Sequence, residues 1–97
     1  MRKIVYPTPG DILQKEFLSP MNISAYRLAK DIGVSQMRIS EILAGTRAIT
    51  VDTGLRLSCY FRLNDDFWTG LQLDHDLAFA KDKLEKTLAQ IKPLQAA

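Results

Sequence analysis

The residues best placed to do chemistry lie in AYRLAKDIGVSQMRISEIL, residues 25–43, and that chemistry is recognition of an anionic, base-bearing surface. Taking Ile39, Ile42 and Leu43 as inward-facing, a step of about 100° per residue turns Met37, Ser40, Glu41 and Ala44 outward, with Gln36 at the edge and Arg38 on the other flank. A glutamine there can bond both the donor and the acceptor edge of an adenine, and an arginine can reach a guanine or a phosphate. Met37 must meet a thymine methyl or fold back on its own domain. Ser24 and Ser35 have the character of N-caps, and the first amides after each can approach backbone phosphates. Arg27, Lys30 and Arg47 add cationic reach.

Catalytic and metal chemistry find no comparable set. Cys59 and His75 are the lone residues of their types, too few for a structural zinc site or an internal disulfide. Cys59, four residues after Leu55, reads as a buried packing residue. His75 reads as a surface histidine whose neighbours Asp74 and Asp76 point elsewhere on a helix. No Ser–His–Asp or Cys–His set and no glycine-rich phosphate loop can be assembled, so an enzyme is the least supported class. No cofactor, metal or small-molecule substrate is expected.

The elements that must position the outward face are helices. Apolar residues recur at spacings of three and four from Thr8 onward, and no period-two run competes. The pattern predicts a first helix over Pro9–Leu18 stopped by Ser19-Pro20, with Met21 and Asn22 in a loop. A second runs from the Ser24 cap to Ile32 and closes on Gly33, and a third runs from the Ser35 cap through Leu43 to Ala44-Gly45. After a loop at Thr46–Ile49, Thr50 caps a fourth over Val51–Phe61, with Val51, Leu55, Leu57, Cys59, Tyr60 and Phe61 as its apolar face.

Two short helices crossing over a tight turn need a small residue at their approach and a glycine at the reversal; Ala29 and Gly33 meet those needs. Leu28, Ile32, Val34, Ile39 and Ile42 then share one core. Asn64 opens the last element, with Asp65 and Asp66 as first-turn acids and Phe67, Trp68 and Leu71 packed on the body. Up to Lys92 this helix could hold 28 residues and span roughly 42 Å, with a frayed tail beyond Pro93. Its Leu73, Leu77, Ala80, Leu84, Leu88 and Ile91 form a stripe of coiled-coil character that a small body cannot cover, while Lys81, Asp82, Lys83, Glu85 and Lys86 form a solvated face.

Ninety-seven residues make one small domain, 1–97, divided into a helix-turn-helix core at 8–63 and a C-terminal long helix at 64–94. The net charge of +2 is uneven: residues 1–63 hold nine basic and five acidic side chains, residues 64–97 four and six. An anionic partner therefore belongs to the first part. The apolar run Ile4, Val5 and Tyr6 is far too short for a signal peptide and no window has the length of a membrane span, so a cytoplasmic, membrane-free protein is expected.

The spacing Leu28-Ala29-x3-Gly33-Val34-x4-Ile39-x2-Ile42 resembles the helix-turn-helix of phage-repressor-like (Cro/C1, or XRE) DNA-binding domains. PGDILQKEFLSP, YRLAKDIGVS, RISEILAGTRAIT, DTGLRLSCYF and DFWTGLQLDHDLAFAK, in that order, resemble the HigA family of antitoxins over residues 7 to about 94. The resemblance implies an all-α, five-helix repressor fold with a long C-terminal helix. It also implies a homodimer that represses its own operon at a palindromic double-stranded operator and neutralises a HigB-type toxin, an mRNA endonuclease.

By the same resemblance Ser35, Gln36, Met37, Arg38 and Glu41 are recognition-helix residues, with Thr46 and Arg47 near phosphate in the following loop. The chain departs from the family pattern where Arg62-Leu63 replaces the Gly-Thr or Gly-Ser that often follows Tyr-Phe, and where Cys59 replaces a common alanine. Leu77, Ala80, Leu84, Leu88 and Ile91 are expected to pack against a second copy, placing two recognition helices about 34 Å apart, or to receive the toxin. Two other functions fit the residues: a stand-alone XRE-type regulator without a toxin, and a protein-interaction module that does not bind DNA.

Overall fold

A computed structural model describes residues 7–95. The Ile4, Val5 and Tyr6 run and the last two residues of the tail lie outside the described residues. Among those described there are six helices and no strand. Among the described residues, no helix is long and apolar enough to cross a membrane.

The first helix, α1, runs continuously through Pro9–Ile12, Leu13–Leu18 and Ser19–Met21. Thr8 and Asp11 form a reciprocal cap: Thr8 Oγ1 accepts from the Asp11 amide and Asp11 Oδ2 from the Thr8 amide, each at 3.1 Å. The middle stretch is π-helical, with the Ser19 N–H donating to the Gln14 carbonyl five residues back. Winding of this kind brings residues five apart nearly onto one face, and Leu13 and Leu18 are both fully buried.

It also corrects the expected stop at Ser19-Pro20. The wider turns loosen the stretch where the proline ring would press on the preceding turn, and the helix continues to Met21 before Asn22 ends it at φ 55°.

The next three helices start on the expected caps: α2 at Ala25–Ile32 after Ser24, α3 at Gln36–Leu43 after Ser35, and α4 at Val51–Phe61 after Thr50. Gly33, at φ 76°, reverses the chain between α2 and α3. Leu28, Ile39, Ile42 and Leu57 are sealed in the core with Trp68, while Val34, Phe61, Phe67 and Leu71 pack around them. Phe17, Phe61, Phe67 and Trp68 form an aromatic cluster with ring centroids 4.8–6.3 Å apart. Gly10 is the tightest point: a Cβ there would collide with the Ile42 carbonyl oxygen, so α1 and α3 touch backbone to backbone.

Helix α4 corrects the apolar face read from its sequence. Val51, Leu55 and Cys59 are exposed, and its inward face carries Thr53, Gly54, Leu57 and Ser58. Small residues are needed because the following helix passes close: a Cβ on Gly54 would lie 3.0 Å from Thr69 Cγ2. The helix ends at Arg62 in the left-handed region (φ 59°, ψ 51°), and the Leu63 N–H closes on the Ser58 carbonyl at 2.8 Å. Arg62 thus takes the left-handed position at which a helix end favours glycine.

The last element is two helices: α5, Phe67–Lys83, and α6, Glu85–Ala89. Asp65 and Asp66 lie in the turn before α5 and not in its first turn. The expected unbroken rod is interrupted at Leu84 (φ −95°, ψ 9°), where neither glycine nor proline stands. Leu77, Ala80, Leu84 and Leu88 line an open apolar groove, in which Leu84 and Leu88 are 44% exposed.

Candidate nucleic-acid interface

The outward face of α3 is built as its period requires. Ile39 and Ile42 are inside; Gln36, Met37, Ser40 and Ala44 are exposed, Met37 by 69%, and Glu41 sits at the border. Met37 thus stands out from the domain and does not fold back on it. The hydroxyls of Ser24 and Ser35 serve the helix ends: Ser24 Oγ accepts from the Arg27 amide and Ser35 Oγ from the Arg38 amide, both at 3.1 Å.

The basic candidates differ in what holds them. Arg38 leans back onto α4, its Nη1 3.4 Å from Thr53 Oγ1 and 3.9 Å from Asp52 Oδ1. Arg47 is drawn to the end of α3 by Glu41, with Nε and Nη2 at 2.8 and 2.7 Å from Oε1. The Thr46 and Arg47 amides both donate to the Glu41 carbonyl, and the Thr46 hydroxyl joins them at 3.2 Å. Glu41 is therefore the residue that shapes the loop carrying two phosphate candidates.

Arg27 pairs with Asp31 at 3.5 Å, and Lys30 is exposed one turn on. Asp31 also accepts from the Tyr60 hydroxyl at 2.6 Å, a bond that, with partial burial and the carboxylate charge, raises the Tyr60 pKa.

Two positioning residues carried no sequence signal. Arg56 reaches from α4 to the end of α2, where Nη1 donates to the Ile32 carbonyl at 2.7 Å and to the Gly33 carbonyl at 3.3 Å, while Nε holds Asp52 at 2.7 Å. It satisfies helix-end carbonyls and pins the turn between α2 and α3. Gln72, on α5, accepts from the Ile49 amide across the loop after α3, at 2.8 Å. Both contacts join residues more than twenty positions apart, beyond the reach of local patterns.

Outside this face, His75 corrects the reading of its neighbours: its Nδ1 lies 3.3 Å from Asp76 Oδ1, and its ring stacks on Phe79. Along α5 and α6, Leu77 and Ile91 are about 60% exposed, with Ala80, Leu84 and Leu88 on the same open stripe.

A helix crossing a tight glycine turn onto a second helix with a bare polar face defines a helix-turn-helix protein. The helix-turn-helix family model matches residues 14–68. The antitoxin HigA of Pseudomonas aeruginosa, solved with the higBA promoter, superposes with a TM-score of 0.87 at 36% identity, over 93% of this chain and all of that one. Virulence-associated protein I of Dichelobacter nodosus is 47% identical over 75% of this chain and 68% of its own length, and antitoxin HigA-1 of Vibrio cholerae 28% identical over 88% and 80%. The chain belongs to the HigA family of helix-turn-helix antitoxins, a family of non-enzymatic DNA-binding regulators.

Proposed function

We propose that this protein is a sequence-specific repressor that binds a palindromic operator as a homodimer, autoregulates its operon, and acts as the antitoxin of a HigB-type mRNA endonuclease. The observation that carries the reading is the bare polar face of α3, with Ile39 and Ile42 sealed beneath it. Gln36, Met37 and Ser40 meet base edges in the major groove. Ser24, Arg27, Lys30, Ser35, Thr46 and Arg47 border the phosphates. Glu41 and Arg38 hold the reading helix and its loop in place through Arg47 and through Thr53 and Asp52.

We divide the chain into the reading core at 8–63 and a partner-binding arm at 64–94, where Leu77, Ala80, Leu84, Leu88 and Ile91 receive a second copy or the toxin. The protein works in the cytoplasm, where its operator lies. The test is an anisotropy titration of the palindrome upstream of its gene against a scrambled duplex. Gln36→Ala is expected to weaken operator binding about tenfold, the value of one good base contact, while leaving scrambled-duplex binding unchanged. Equal loss on both duplexes contradicts base reading by this face. Co-purification with the product of the neighbouring gene tests the antitoxin role.

A further inference from the structure

We propose that Gln72 is a positioning residue for operator binding: a clasp from α5 that fixes the far end of the phosphate-facing loop. The inference rests on the reading of Thr46 and Arg47 given above. The loop between α3 and α4 has two ends to secure. Its first end is held by Glu41, whose carbonyl takes the Thr46 and Arg47 amides. At its other end Ile49 is buried, and a backbone N–H in such a place needs an acceptor.

Gln72 Oε1 supplies that acceptor at 2.8 Å, from a helix that begins on the far side of α4. The amide is itself held, because Nε2 donates to Asp76 Oδ1 at 3.0 Å one turn further along α5. With both ends of its amide bonded, the side chain cannot turn away without breaking one of the two bonds. Thr46 and Arg47 lie only three and two residues before Ile49, so the clasp sets where their groups stand relative to a phosphate. A shift of about 1 Å there is enough to forfeit a directional contact.

Glutamine at this position provides what the geometry asks: one acceptor for the loop and one donor for Asp76 on the same flat group. The same helix carries Leu73 and Leu77, both exposed, so the phosphate-facing loop is bonded directly to the arm.

The experiment measures operator affinity of the full chain at several salt concentrations, with amide exchange at Ile49. In the unaltered protein the Ile49 amide is expected to exchange as slowly as the core helices, and fast exchange overturns the clasp. Gln72→Met removes both bonds at similar volume. It is expected to weaken operator binding roughly tenfold and to flatten the salt dependence by about one phosphate contact per half-site, with helix content unchanged.

The exchange Gln72→Glu with Asp76→Asn keeps net charge and both bonds, since the amide introduced at position 76 donates to the carboxylate introduced at position 72. It is expected to restore affinity and slope. Arg47→Ala separates the clasp from the loop reading beneath it. If it flattens the slope while Gln72→Met leaves binding untouched, the clasp is refuted and the loop reading stands. If Arg47→Ala itself changes nothing, the loop reading fails. Loss of thermal stability in Gln72→Met without recovery of the slope in the double exchange assigns Gln72 a general structural role and overturns the proposal.

Discussion

The α2–α3 pair and the α5–α6 arm of this protein solve opposite problems. In the first, every apolar side chain of the inner face has a partner and the polar face is left bare: Leu28, Ala29, Ile32, Ile39 and Ile42 are buried beneath Gln36, Met37 and Ser40. In the second, six residues from Leu73 to Ile91 form an open stripe that no described residue of the monomer seals. A helix whose core is complete presents its other face for recognition, whereas an incomplete one is itself an interface.

The largest expected effect breaks the first region. Gly10→Ala places a Cβ against the Ile42 carbonyl, where backbone faces backbone and no side chain can yield. Destabilisation of about 3 kcal/mol is expected in urea unfolding, with loss of operator binding because α3 is displaced. Full stability in that variant would mean that α1 and α3 do not meet as closely as described.

Leu84→Glu addresses the second region. The residue lies in the open groove of the arm, so monomer stability is expected to change by no more than about 0.5 kcal/mol. The dimer constant measured by ultracentrifugation is expected to weaken tenfold or more, since burying one leucine contributes about 1.5–3 kcal/mol. A dimer unaffected by the charge, but a lost complex with the toxin, would reassign the stripe to the toxin.

Arg62→Gly has the smallest effect and sharpens the joint between the regions. An arginine at φ 59° bears a cost that glycine escapes, partly offset by the freedom glycine gains when unfolded. A gain of about 0.5–1 kcal/mol is expected in urea unfolding, with operator binding unchanged.

The same contrast explains what was legible in the sequence. The caps Ser24, Ser35 and Thr50 and the turn at Gly33 act within four residues of themselves, so residue types alone place α2, α3 and α4. The outward face of α3 followed from three inward aliphatics and the helical step. What was misread depends on distance. The π winding that carries α1 past Pro20 and the exposure of Val51, Leu55 and Cys59 on α4 answer to packing between elements, and the break at Leu84 falls where no glycine or proline marks it. Arg56 and Gln72 belong to the same class: each bonds a backbone group more than twenty residues away, and no local pattern announces such a contact.

In the function proposed, the polar side of α3 and the loop after it meet the operator while the arm remains turned away. Amide shift mapping of the labelled protein titrated with its palindromic duplex tests this most directly. The largest changes are predicted to fall on Ser35–Glu41 and Thr46–Arg47, with Leu77–Leu88 nearly unmoved. Changes concentrated on Leu77–Leu88, with Gln36, Met37 and Ser40 silent, would contradict it.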